Sequence, residues 1–97
     1  MHLFDAHGEY LPPEEFLRPY LDALEPREGS DELHFKDVER ARYRGEVSYL
    51  DHELGRLLSL PRFERGVVAF TADHGESLGA HGIDFNHAEL YPDTTAV

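Results

Sequence analysis

GVVAFTADHGESLGAHG, residues 66–82, is the stretch on whose reading the fold of this chain turns. It opens with an apolar run, Val67-Val68-Ala69-Phe70, and becomes abruptly polar at Asp73-His74-Gly75-Glu76. That pattern predicts a buried strand over about residues 66–71 that delivers a carboxylate and an imidazole to its carboxyl end. In open α/β sheets ligands bind at that edge. A carboxylate oxygen and an imidazole nitrogen suit a divalent ion, so Asp73 and His74 read as half of a metal site. The plainer reading is a turn with an Asx hydrogen bond and an exposed histidine. Gly75 allows the tight backbone path that a site beside an ion needs.

Working outward, residues 37–60 form the clearest periodic segment. Tyr43, Val47, Leu50, Leu54, Leu57 and Leu58 recur at spacings of 4, 3, 4, 3 and 1, one stripe of an α-helix. Asp37 is placed to cap it and Pro61 closes it. Arg40, Arg44, Glu46, Glu53 and Arg56 fall mostly off the stripe and are expected in solvent. Gly45 and Gly55 each weaken a helix by about 1 kcal/mol relative to Ala, for which close packing of the helix backbone against a sheet would compensate. Upstream, Pro13, Glu14 and Glu15 favour a helix start, and a second helix is expected over residues 14–24, with Pro19 as an interruption. Residues 25–35 read as an acidic surface loop. Met1 to Phe4 reads as a second strand, with Asp5-Ala6-His7 at its carboxyl end.

Helix–strand alternation indicates an α/β fold, a partial parallel sheet with a long packing helix. Two strands and one long helix leave much apolar surface uncovered, so the expectation is a piece of a larger α/β domain. On a shared sheet edge His7 would join Asp73 and His74, to bind an anionic substrate oxygen or to protonate a leaving group; the plainer reading is a loop histidine that caps backbone carbonyls. His81 and His87 lie within chain reach of the same pocket. His2, His34 and His52 read as structural or solvated.

The chain has 97 residues, with 20 acids against 9 bases and a net charge of -11. That balance excludes a general nucleic-acid binder and disfavours anionic membranes, but not an anionic substrate if a metal ion supplies positive charge. No apolar run approaches the ~20 residues of a membrane span. There is no cysteine, so disulfides and thiolate chemistry are excluded and the compartment is left open. Neither a P-loop nor a G-x-S-x-G elbow occurs, and no nucleophile is visible.

Four ordered stretches together resemble the carboxyl-proximal catalytic domain of sulfatases, in the alkaline-phosphatase-like superfamily. His2-Leu3-Phe4-Asp5-Ala6-His7-Gly8-Glu9-Tyr10 with Pro12-Pro13 is similar to the family's HLFDPHxPYxPP segment. Tyr43-Arg44-Gly45-Glu46-Val47-Ser48-Tyr49-Leu50-Asp51 and its continuation through Leu58 are similar to YxGEVxYxDxxLGxLL. Residues 68–82 are similar to VVFTSDHGESLGEHG. His87 through Tyr91, with Val97, is similar to GHxxxLYEExxRVP, although Pro92 stands where an acid is usual.

The resemblance implies a partial catalytic domain over residues 1–97, cut at both ends from an alkaline-phosphatase-like α/β sandwich. It implies a hydrolase acting on small sulfate, phosphate or phosphonate esters. Asp73 and His74 match metal ligands, with calcium the first expectation and manganese or zinc the alternatives. His7 matches a histidine that contacts the sulfate or phosphate group, and His87 a residue lining the same pocket. The family's nucleophile and first carboxylates have no counterpart here. The rival from another class is a non-catalytic acidic α/β remnant serving as an interaction module. Two protein ligands do not fill the four or more positions of zinc or calcium. The purified chain is therefore expected to show no metal-dependent aryl sulfatase or phosphatase turnover, which a chromogenic ester assay checks.

Overall fold

A computed structural model describes residues 3–26, 28, 34–82, 84–86 and 90–96. The chain divides into two compact units, Met1–Glu64 and Arg65–Val97. In the first, helix α1 (Glu14–Asp22) packs against helix α2 (Phe35–Leu58). Pro13 precedes α1, with Glu14 and Glu15 in its first turn, as the start signals require. Pro19 lies inside α1 without ending it. α2 starts two residues earlier than the periodicity predicts, with His34 rather than Asp37 at its N-cap. Of the expected loop at 25–35, residues 27 and 29–33 lie outside the described residues.

The helices meet along small side chains. Ala41, Gly45 and Ser48, at spacings of 4 and 3, lie along one line of α2, and that line faces α1. Ala41 and Gly45 are buried. The Tyr20 hydroxyl bonds Ser48 Oγ at 2.7 Å. The Phe16 ring stands 5.3 Å from Tyr49 and 5.4 Å from His52. Gly45 permits the closest approach: a Cβ there would meet Pro12 Cγ at 2.8 Å and the Leu17 Cα at 3.3 Å. The close packing expected at Gly45 is present, but its partner is Pro12 and α1 rather than a sheet. Gly55 has nothing within 4 Å of a built Cβ.

The aliphatic stripe lies on the opposite side of α2, since at 100° per residue Val47, Leu50 and Leu54 are about half a turn from Ala41, Gly45 and Ser48. Val47 and Leu58 are exposed, and Leu50, Leu54 and Leu57 are only half-buried. The helix thus has two apolar faces, and the weaker one by hydropathy makes the contact.

The expected α/β fold with a partial parallel sheet is not what forms; the described structure is mostly helical. Residues 67–72 carry no strand, and neither do residues 3–4; Met1 and His2 lie outside the described residues. The sole ladder among the described residues is a short antiparallel pairing of β1 (Ser77–Leu78) with β2 (Asp84–Asn86), irregular between Ser77 and Leu78. The physical reason is the absence of neighbours. An isolated strand has no ladder partner for its backbone groups and no layer to cover its faces. Val67 is 99% exposed and Phe70 71% exposed accordingly. Hydrophobicity marks residues 67–70 for burial, but nothing among the described residues buries them.

In the second unit, after the 3-10 turn Pro61–Phe63, the polar half of the opening stretch is held by a four-residue helical turn, α3 (Pro92–Thr95). The Gly75 N–H donates to the Thr94 carbonyl at 2.9 Å, and Ser77 and Thr94 are buried. A further 3-10 turn at Ala80–Gly82 places His81 in the left-handed region at φ 55°, its ring stacked 4.1 Å from Tyr91. No described helix is long and apolar enough to cross a membrane.

Two glycines of one helix should respond oppositely to the same change. Gly45→Ala is expected to cost about 1–3 kcal/mol through overpacking against Pro12 and Leu17. Gly55→Ala should stabilise by roughly 0.5–1 kcal/mol through helix propensity. Urea unfolding followed by circular dichroism measures both.

Candidate functional site

Asp73 and His74 sit where the apolar run ends, on backbone held by α3. The carbonyl oxygen of Gly75 can only accept, so the 2.8 Å contact with His74 Nδ1 makes that nitrogen the donor. In the neutral ring the lone pair is then on Nε2, which lies 4.0 Å from Asp73 Oδ2. This is the tautomer arrangement that metal-binding histidines share, the far nitrogen anchored to a carbonyl. The Asp73 side chain is largely exposed and that of His74 about one-third exposed. Donors about 2.1 Å from a tetrahedral ion stand about 3.4 Å apart, closer than the 4.0 Å that separates this pair. The donor chemistry fits half of a divalent site. Among the described residues no group of three His, Cys, Asp or Glu side chains is arranged to hold an ion.

His7 lies in the first unit, in the exposed segment before Tyr10. Its Nδ1 donates to the Gly8 carbonyl at 3.0 Å, again assigning the neutral lone pair to Nε2. The carbonyl-capping reading of His7 is therefore met, and the same bond fixes the ring's tautomer. The shared sheet edge that would align His7 with Asp73 and His74 does not form, because neither segment is a strand. His87 lies outside the described residues. Ser77 is 1% exposed, sealed into β1.

Glu46 is the residue that periodicity misplaces. Expected in solvent, it is 7% exposed. Its Oε1 accepts the Leu11 N–H at 2.6 Å, and its Oε2 is buried with no hydrogen-bond partner among the described residues. Burial pushes its carboxyl above the ordinary glutamate range; the Leu11 bond opposes this and the nearby Asp5 charge adds to it. Tyr10, 5% exposed, packs edge-on against Tyr43 at 5.4 Å. No helical periodicity marks Glu46: at about 100° per residue it stands a quarter-turn or more from the Ala41, Gly45 and Ser48 line, and it is the crossing segment with Leu11 that covers it.

Against this geometry stand the likenesses to known proteins. The chain is a distant partial homologue of the sulfatases and corresponds to a fragment of that family. It is 44% identical over 54 residues to the human (Homo sapiens) iduronate 2-sulfatase and 36% identical over 94 residues to the mouse (Mus musculus) iduronate 2-sulfatase. These alignments cover 52% and 80% of this chain but 10% and 17% of the two enzymes. No family model matches the chain, and no solved structure matches it.

The Glu46 carboxyl has a testable pH signature. Its raised value in the folded state means that the folded chain holds this proton where the unfolded chain has released it. Its contribution to stability is fully present below the ordinary glutamate value of about 4.3. It is lost as pH rises through the raised value. Glu46→Gln should flatten that part of the stability profile, which chemical unfolding measured from about pH 3.5 to about pH 7.5 resolves, starting just below the ordinary glutamate value and running well above it.

Proposed function

We propose that this chain supplies part of the pocket of a sulfatase-type hydrolase that acts on sulfate esters, with Asp73 and His74 as two of the ligands to a divalent ion. The observation that carries this reading is the Asp73–His74 pair, 4.0 Å apart, with Nδ1 anchored on the Gly75 carbonyl. The partial likeness to the iduronate 2-sulfatases supports it. Calcium is the first candidate ion, with manganese and zinc the alternatives; the carboxylate suits calcium and manganese, and the imidazole nitrogen suits zinc. A bound divalent ion supplies Lewis-acid polarisation of an ester oxygen.

The residues of this chain have separate tasks. Asp73 contributes charge and His74 a neutral nitrogen oriented by its own backbone. His7 is assigned the sulfuryl group: Nδ1 is committed to the Gly8 carbonyl, so contact falls to Nε2, which donates a hydrogen bond to a sulfuryl oxygen when the ring is protonated. Phosphate and phosphonate esters present similar oxygens, and sulfate is preferred on the family likeness.

One observation favours a non-catalytic interaction role instead. The part-exposed stripe on α2, with Val47 and Leu58 at its surface, is apolar area without cover among the described residues. Isothermal titration of the chain with calcium, manganese and zinc separates the readings. The expected result is binding weakened at least about tenfold by Asp73→Ala and by His74→Ala. Unchanged binding in both variants, or no binding by a chain that is a stable dimer, overturns the metal-site reading.

A further inference from the structure

We propose that Glu46 is the positioning residue of the His7 loop: its buried carboxylate holds the loop's end by the Leu11 N–H and sets the orientation in which His7 meets an anionic group. The bond is short, 2.6 Å, as a charge-assisted hydrogen bond to a carboxylate is. Two neighbouring contacts secure the same three-residue stretch. The Tyr10 ring is buried edge-on against Tyr43, and Pro12 lies against the bare Cα of Gly45. Residues 10–12 are thus pinned to the middle of a 24-residue helix. Asp5, at the other end of the loop, is close enough for its charge to act on Glu46. Both ends of the segment 5–11 therefore lie near one carboxylate, and His7 lies between them.

A buried carboxylate is a poor choice for stability here. Only Oε1 has a hydrogen bond among the described residues, and an apolar side chain of similar size at such a position is often neutral or stabilising. An apolar residue would have no directional bond, however, and the loop could slide along the helix. The carboxylate fixes the register of residues 10–12. Because His7 Nδ1 is bonded to the Gly8 carbonyl, its ring direction follows the loop backbone, and that backbone is set by Glu46.

Substitution with nitrogen-15 spectroscopy of the labelled full chain tests this. Glu46→Leu removes the acceptor, and the Leu11 amide should then exchange about tenfold faster or more, as expected for a lost bond to a charged group. The His7 ring should pass from one Nδ1–H tautomer to the mixture of an unstructured peptide. Glu46→Gln keeps the acceptor and should retain both signatures. Leu11→Pro removes the donor from the other side, leaves α2 intact, and should release the His7 ring in the same way. A single His7 tautomer persisting in folded Glu46→Leu or in Leu11→Pro would overturn the proposal, as would a Glu46→Gln variant as loose as Glu46→Leu. The role toward an anion rests on the reading of His7 given above. Titration of the wild-type chain with sulfate, followed at the His7 ring, tests that reading alone; an absent response overturns the contact and leaves the tautomer result standing.

Discussion

The approach of Pro12 and Leu17 to the bare Cα of Gly45 is the constraint on which the first unit depends. It draws α1 onto α2 along Ala41, Gly45 and Ser48, and it admits the segment ahead of α1 to the helix surface. A side chain at residue 45 would hold that segment off by the thickness of a methyl group. The Tyr20–Ser48 hydroxyl contact and the Phe16 contacts with Tyr49 and His52 follow from the same approach, because they need the helices this close.

Burial of Glu46 is a consequence of this packing. Once residues 10–12 cross α2 at Gly45, the next side chain is covered, and its carboxylate meets the Leu11 N–H instead of water. Helix packing thereby reaches a loop that carries a candidate substrate contact. Two of the candidate histidines also share a local contact. His7 and His74 are each followed by glycine, and each commits Nδ1 to that glycine's carbonyl. The bond spans adjacent residues in both units, but the backbone that presents it at His7 ends on the Glu46 carboxylate through the Leu11 N–H.

The second unit holds its candidate pair differently. Asp73 and His74 lie outside any sheet, and the backbone beside them is held by the Gly75–Thr94 bond and the buried Thr94. The exposed Val67 and Phe70 ahead of them, with the α2 stripe, have the composition of covered surfaces without cover among the described residues. That accords with a chain corresponding to a tenth to a sixth of the sulfatases it resembles.

Local signals were legible without coordinates. Pro13 with Glu14 and Glu15 marked α1, the apolar recurrence marked α2, and four motifs in order marked the sulfatase likeness. The adjacency of Asp73 and His74 was legible because it is a property of the sequence. Which face of α2 packs was not legible: hydropathy points to Val47, Leu50 and Leu54, whereas close approach selects the small residues opposite. The strand over residues 66–71 was read from an apolar pattern, yet a strand exists only with a neighbour to bond, and none of the described residues supplies one. The sequence by itself determined the two helices of the first unit and the likeness to the sulfatases, since each rests on contacts a few residues long or on residue identity. Tertiary structure alone decided the buried state of Glu46, its bond to the Leu11 N–H and the absence of a parallel sheet among the described residues, because each depends on which distant segments meet.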